Sequence, residues 1–144
     1  MIAGLFDNGA MPVLERVAQF TQARHRVLTH NIANLSTPFF KPRDLDPASF
    51  QATLQDAVDR RRAGANPVAG PLHARDTDEL RFQPDRIDAQ SRPTHDGILF
   101  HDQNNRDLER TMQHLAENTL THNTAIEMLR NEYAMLAMAI RERP

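Results

Sequence analysis

Apolar residues recur at helical spacing in the first quarter of this 144-residue chain. The positions that share one face of a helix are Leu14, Val17, Thr21, Leu28 and Leu35, with Val13, Phe20 and Val27 beside them. Pro12 suits the first position of a helix, and Pro38 cannot continue one because it lacks a backbone donor. The pattern therefore predicts an amphipathic amino-terminal helix over residues 12–35.

A second helix is predicted after a turn at residues 36–46. Asp46 and Pro47 form a start signal, in which an acidic cap precedes a proline in the first helical turn. The residues that then share one face are Phe50, Leu54, Ala57 and Val58. Because Gly64 favours a helix end, we expect a short helix over residues 47–62.

The middle of the chain, residues 63–105, has a different character. Its polar sequence is interrupted by Pro67, Pro71, Pro84 and Pro93. Apolar clusters at residues 80–82 and 98–100 are the best candidates for strands. We interpret the segment as irregular, with room for short strands.

Heptad spacing marks the carboxyl-terminal segment. Leu108, Leu115, His122, Leu129 and Leu136 repeat every seven residues, and Met112, Thr119, Ile126, Tyr133 and Ile140 follow each of them by four. These two sets are the d and a positions of a coiled-coil-like helix. The prediction is a helix over residues 106–141, about 50 Å long, which Asn104 or Asn105 can cap.

The predicted fold class is therefore mainly α, with the two long amphipathic helices packed as a coiled-coil-like hairpin. The whole chain, residues 1–144, is expected to form a single elongated domain. One antiparallel pair leaves much of the apolar stripe uncovered, so we expect it to pack on the helix at 12–35 and also on other subunits. Thr119 and His122 are polar positions in this seam, where they either set its register or form a partly exposed layer.

Composition and charge narrow the function classes. With 40% hydrophobic residues, 6% aromatic residues and no Trp, a thick globular core is not expected. A net charge of −2 provides no broad cationic field for nucleic acid. The absence of Cys excludes disulfides and thiol chemistry. Residues 1–7 lack the pattern of a cleaved secretory leader, and no apolar run reaches the roughly 20 residues of a membrane span.

Enzyme chemistry finds little support in the residue spacing. His25 and His30 are five residues apart, and His114 and His122 are eight apart. Neither pair has the spacing of four that places two imidazoles on one metal from a single helix. A phosphate-binding glycine loop and a Gly-x-Ser-x-Gly elbow are also absent from the sequence. We expect no catalytic residues, no metal site and no cofactor.

The turn after the first helix carries a recognisable motif. Residues 31–44 read Asn-Ile-Ala-Asn-Leu-Ser-Thr-Pro-Phe-Phe-Lys-Pro-Arg-Asp. This resembles the signature of flagellar axial proteins, Asn-Ile-Ala-Asn-x-x-Thr-Pro-x-Tyr-Lys, and the Arg-Asp that follows is similar to the proximal rod subunits of that family. The matching positions, taken as assembly residues, are Asn31, Ile32, Ala33, Asn34, Thr37, Pro38, Phe40, Lys41, Arg43 and Asp44.

A second motif strengthens the resemblance. Residues 102–109 are similar to the proximal rod pattern Asp-Gly-Asn-x-Val-Asp-Leu-Asp/Glu, and residues 116–129 to Ala-x-Asn-x-Leu-x-Tyr-x-x-Ala-x-x-x-Leu. The resemblance covers residues 12–60 and 95–141 and leaves the centre unmatched. Two separated motifs in the same order are more specific than one.

Some residues depart from the family pattern. They are Phe39, Phe40, Gln103 and His122. A glycine at 39 or 103 could adopt positive φ, whereas we expect Phe39 to avoid it. Phe39 and Phe40 either anchor an interface or pack within their own subunit.

The resemblance implies a non-enzymatic structural subunit of the proximal rod of the bacterial flagellar basal body. In the family, the terminal helices polymerise into a tube that transmits torque from the membrane ring toward the hook. The implied partners are other rod proteins, the membrane-ring protein, the export gate with its adaptor subunit, and further copies of the chain. Export through the flagellar type III apparatus, without a cleaved signal, is implied as well.

A different class of function fits the same helices. A soluble helical adaptor or export chaperone would bind an amphipathic helix of another protein. Such a chaperone should have protected helices when alone, whereas an assembly subunit should order its terminal segments mainly on polymerisation.

Overall fold

Helices dominate the computed structural model, which describes residues 9–64, 70–94 and 107–141. The elements within these ranges are α1 (Met11–Ala33), β1 (Arg43–Asp44), α2 (Pro47–Arg62), β2 (Leu80–Phe82), β3 (Ile87–Ala89), β4 (Arg92–Pro93) and α3 (Leu108–Arg141). The predicted class, mainly α with long terminal helices and short strands in the middle, is confirmed. No helix in the described ranges is long and apolar enough to cross a membrane.

Helix α1 ends two residues earlier than predicted. Asn34 leaves helical geometry, with φ −106° and ψ 11°, and its side-chain Nδ2 donates to the carbonyl of His30 at 2.9 Å. This bond satisfies a carbonyl that the end of a helix leaves without a partner. The residues up to Pro38 then form a turn.

Helices α2 and α3 both begin at an aspartate. The carboxylate of Asp46 accepts from the N–H of Ala48 at 2.9 Å, and α2 has the predicted range. Asp107 accepts from the N–H of Arg110 at 3.0 Å, so α3 begins at Leu108 instead of residue 106. The predicted caps Asn104 and Asn105, like Gln103 and the apolar cluster at 98–100, lie outside the described residues.

Two small antiparallel sheets organise the described part of the middle segment. Strands β2 and β3 form a hairpin in which Leu80 faces Ala89. Strand β1 pairs with β4 and sets Arg43 opposite Pro93. The cluster at 80–82 is a strand as predicted, whereas β1 and β4 are too short to show a pattern in the sequence. Through β1 and β4, the middle segment is attached to the signature turn.

A small apolar core lies between α1, α2 and the β2–β3 hairpin. Its buried members are Phe20, Leu45, Phe50, Leu54, Ala57, Leu72, Leu80 and Ile87. The rings of Phe20 and Phe50 stack with centroids 4.1 Å apart, an arrangement that adds to the burial of both rings. This cluster therefore lies beside the hairpin of long helices, and Leu28 of α1 with Ala125 and Leu129 of α3 are buried outside it.

Helix α3 packs antiparallel along α1. Near one end of the pair, the Tyr133 hydroxyl donates to the carboxylate of Glu15 at 3.3 Å. Burial raises the pKa of Tyr133, and the negative charge of Glu15 raises it further. A tyrosine hydroxyl is protonated at neutral pH in any case, and the raised pKa extends its role as a donor to higher pH.

Replacing Phe50 by alanine tests the core. We expect Phe50→Ala to lower the free energy of unfolding by about 3–5 kcal/mol, because a side chain that is 4% exposed leaves a cavity beside Phe20. Met128→Ala, at a position 50% exposed, should change it by less than about 1 kcal/mol. Urea denaturation of the two variants, followed by circular dichroism, measures the difference. Equal losses would contradict this description of the core.

Candidate functional site: the signature turn and the helix seam

Asn31 attaches the signature turn to α1. Its side chain is buried, with 5% exposed. The amide Nδ2 donates to the carbonyl of Arg43 at 2.5 Å, and the amide oxygen accepts from the N–H of the same residue at 3.1 Å. A side-chain amide offers one donor group and one acceptor, so it satisfies both backbone groups of Arg43. The backbone at Arg43 is thereby held against the last turns of α1.

Asp44 forms the second attachment. The guanidinium of Arg24 donates to both of its carboxylate oxygens, at 2.9 and 2.6 Å. The side chains of this pair are only 9% and 14% exposed. One carboxylate oxygen also accepts from the N–H of Leu45 at 2.7 Å, and Nδ1 of His114 on α3 lies 3.8 Å from the other. Asp44 thus brings α1, the turn and α3 together.

Phe39 adopts the conformation that we expected it to avoid. Its φ is +61°, and the N–H of Phe40 donates to the carbonyl of Thr37 across the turn at 3.3 Å. In such a turn Pro38 occupies the second place, and the third place requires positive φ, which normally selects glycine. The strain is about 1 kcal/mol. The expectation was wrong because the attachments on both sides of the turn determine its path.

The two phenylalanines of the turn have different surroundings. Phe40 is partly buried and meets the ring of His30 edge-on, with centroids 5.6 Å apart. Phe39 is 76% exposed. Packing within the subunit therefore describes Phe40, whereas Phe39 has its ring in solvent.

The remaining signature residues divide between the interior and the surface. Ile32 and Asn34 are partly buried, whereas Ala33, Thr37, Pro38, Lys41 and Arg43 are exposed. The guanidinium of Arg43 also donates to the backbone carbonyl of Ser91. The bonds of Asn31 to Arg43 and of Asp44 to Arg24 hold the turn from inside, and we call them the clamp. The signature thus combines this clamp with an exposed surface.

The predicted seam of α3 is shared between an inner and an outer face. Leu115, His122, Leu129 and Leu136 are buried or partly buried, whereas Leu108, Met112, Thr119, Tyr133 and Ile140 are exposed and Ile126 is partly buried. We call Met112, Thr119, Ile126, Tyr133 and Ile140 the outer flank. The most buried line runs through Asn118, Ala125 and Leu129. Two of these three residues are small or polar, and the apolar side chains of Met112 and Ile140 on the outer flank remain 48% and 61% exposed.

A polar layer joins α1 to α3. Asn118 is 3% exposed, and its Nδ2 donates to the carbonyl of Thr21 at 2.8 Å. Nδ1 of His122 lies 2.9 Å from the Thr21 hydroxyl. Of the two predicted polar positions, His122 thus contacts α1. Thr119 is exposed, and its hydroxyl donates to the carbonyl of Leu115 at 2.8 Å.

Sequence reasoning missed the contributions of two residues. Arg24 lies four residues after Phe20 and four before Leu28, which places a charge on the buried stripe of α1. Asn118 belongs to the second motif, but its residue type did not indicate that it would be buried. The Arg24 spacing was a usable signal, because a charge on a buried stripe requires a partner.

The site offers no constellation for metal chemistry in the described ranges. No group of three or more His, Cys, Asp or Glu side chains is arranged there to hold a metal ion. What the geometry provides is a hydrogen-bonded turn and a partly apolar helix flank, which are suited to contacts between proteins.

Comparison with known proteins agrees with the motifs. No family model matches the chain. The chain is 29% identical over 127 residues to the flagellar basal body rod protein FlgB of Yersinia enterocolitica, and 28% identical over 127 residues to that of Yersinia ruckeri. The resemblance to the FlgB family is confirmed. Each match covers 85% of this chain and 86% of the relative, so it spans residues 31–44 and the first part of α3 in this chain.

The ion pair of Asp44 supplies a test of the clamp. Asp44→Asn should lower the free energy of unfolding by about 3 kcal/mol, because it leaves the charge of Arg24 buried beside a neutral amide. The matched control is Asp56→Asn, which breaks the exposed pair with Arg60 on α2 and should change stability by less than about 1 kcal/mol. Thermal unfolding of both variants checks this. A loss no larger for Asp44 than for Asp56 would refute a structural role for the buried pair.

Proposed function

We propose that this chain is a proximal subunit of the flagellar rod, which polymerises through its terminal helices and helps to transmit torque from the membrane ring toward the hook. Similarity to two FlgB proteins over 85% of the chain supports the broader statement that it is a component of the flagellar basal body rod. The proposal is structural and involves no catalysis. The chain would act as a single elongated domain.

The observation that carries the polymerisation step is the outer flank of α3. Within it, Met112 is 48%, Tyr133 43% and Ile140 61% exposed. The heptad pattern places these residues at regular spacing, and although Tyr133 is hydrogen-bonded to Glu15 of α1, the apolar side chains of Met112 and Ile140 stay about half exposed. An apolar stripe of this length in solvent favours association. We infer that neighbouring rod subunits cover it.

The geometry of a rod explains why a one-sided pair is useful. A tube needs open contacts between different surfaces of successive subunits, and a fully covered helix pair would have no surface left to offer. In the proposal the partners are other rod proteins and copies of this chain. The membrane-ring protein and the export gate with its adaptor subunit are further proposed partners, which the family resemblance implies.

Localisation follows from the same proposal. The chain would reside in the periplasmic rod of the basal body and would leave the cytoplasm through the type III apparatus without a cleaved signal. A narrow export path suits a chain without disulfides, since the sequence contains no Cys.

The soluble adaptor remains the second candidate, and the same exposed flank is the observation that favours it. A groove beside an uncovered apolar stripe could receive an amphipathic helix. The two proposals differ in how well ordered the terminal helices are in the isolated chain. Hydrogen exchange on the isolated chain should show weakly protected terminal helices for a rod subunit and strongly protected ones for an adaptor.

Deleting the gene tests the assignment directly. Basal bodies purified from the deletion strain should contain membrane rings without rods, and the intact chain should restore the rods. Electron microscopy of the purified particles gives the answer. Complete rods in the deletion strain would reject the rod assignment and favour the adaptor.

The outer flank has its own test. Met112→Asp should leave the free energy of unfolding within about 1 kcal/mol of wild type, because the side chain is half exposed, and should lower incorporation into rods at least about tenfold. Leu129→Asp should block incorporation as well, but by placing an unpaired carboxylate in the seam with α1 and destabilising the subunit.

The charge control for Met112→Asp is Asn131→Asp, at an exposed position that belongs to neither heptad set. It should be incorporated normally. Immunoblots of purified basal bodies, together with swimming assays, compare the three variants. Normal rods containing Met112→Asp would show that the outer flank is not an assembly interface.

A further inference from the structure

The exposed side chain of Phe39 stands out from the signature turn, and we call it the knob. Phe39 is the one non-glycine residue of positive φ in the described ranges, and its ring is 76% exposed. The turn that carries it is held on one side by Asn34, which accepts from the N–H of Thr37 at 2.9 Å, and on the other by the Asn31 clamp. Strained residues persist where the surroundings determine them, and they gather at functional sites.

Such a ring has the properties of an interface anchor. A preorganised aromatic side chain loses little conformational freedom on binding and removes much apolar surface from water. No described contact within the subunit compensates for its exposure. A contact with another molecule would remove this exposed apolar surface from water.

The same chain has an apolar groove that fits this ring. The three-helix groove lies between α1, α2 and α3 and has a volume of about 360 Å³. The apolar side chains of its lining are those of Val17, Phe20, Pro47, Phe50 and Leu54, and α3 contributes Glu117, Asn118 and Thr121. The groove is open to solvent and wide enough for a phenyl ring, which would lie over the small exposed edges of Phe20 and Phe50.

The exposed charges beside the knob and beside the groove are opposite in sign, and the cation in the groove lining, Arg24, is paired with Asp44. Lys41 is exposed two residues after Phe39, and Glu117 is exposed where it lines the groove. The carboxylate of Glu117 accepts from Gln113 on its own helix at 2.9 Å and keeps an open side toward solvent. A lysine beside the knob and a glutamate beside the groove would favour one docking orientation.

We propose that Phe39 of one copy inserts into the three-helix groove of a neighbouring copy, with Lys41 facing Glu117. The groove lies at Phe20 on α1, whereas the knob follows the end of that helix at Ala33, about 20 Å farther along the axis. Because the two surfaces differ, the contact is heterologous and can repeat without closing, as a helical assembly requires. This inference rests on the proposed function and names one of its contacts.

Cross-linking in assembled rods tests the contact. The chain has no native cysteine, so Lys41→Cys with Glu117→Cys introduces one thiol beside the knob and one beside the groove and keeps Phe39. Oxidation of basal bodies carrying this variant should produce a ladder of covalent multimers. A control pair, Lys41→Cys with Asn123→Cys, uses an exposed position of α3 away from the groove lining and should give no ladder.

Replacing Phe39 distinguishes the knob from the fold. Phe39→Gly suits the positive φ, so its Tm should stay within about 5 °C of wild type. In the double-cysteine background it should abolish the ladder. When produced together with the wild-type chain, Phe39→Gly should enter rods about tenfold less often, whereas Phe39→Tyr, which keeps the ring, should compete equally.

The outcomes separate this inference from the function on which it rests. Rods that contain the chain but give no ladder, or equal incorporation of Phe39→Gly and wild type, would overturn the contact and leave the rod assignment intact. Absence of the wild-type chain from basal bodies would reject the rod assignment itself. Dimers without longer multimers would indicate a symmetric contact and would also overturn the inference.

Discussion

The buried ion pair between Arg24 and Asp44 is the interaction on which the arrangement of elements depends. It joins the middle of α1 to the turn that follows the helix, in a place where either charge alone would be strongly unfavourable. Once Asp44 is held there, β1 can pair with β4, Leu45 can enter the core, and Asp46 lies where α2 must begin. A single desolvated contact thus determines how the chain passes from one long helix to the compact part of the molecule.

Much of the helical architecture was predictable because its causes are local. Pro38, the Asp46–Pro47 start signal and the heptads act over a few residues, and the helices that they predict agree with the structure within two residues at each described end. Strands β1 and β4 were not predictable, since two residues carry no periodicity. The conformation of Phe39 was predicted wrongly because tertiary attachments outweighed a backbone preference of about 1 kcal/mol.

The candidate site was predictable in its residues but not in their roles. The signature and seam positions follow from motif and spacing, and whether they form assembly contacts stays a prediction. Which of them face inward depends on the rotation of α3 about its axis. That rotation is set by contacts with α1 between residues far apart in sequence, such as the bond of Asn118 to Thr21. Periodicity gives the width of an apolar stripe, whereas only the partner helix decides which part of it is covered.

The antiparallel pairing of α1 with α3 has a consequence for the divergence of related chains. Everything between the two helices forms one long excursion that leaves from the end of α1 and returns to the start of α3. The entropy of closing such an excursion rises only with the logarithm of its length, by about 0.6 kcal/mol for each doubling. Insertions and deletions in its connecting loops, away from Asp44 and the core residues, would therefore cost the helix pair little stability. The segment between α1 and α3 can therefore change in length among related chains while the paired helices keep their register.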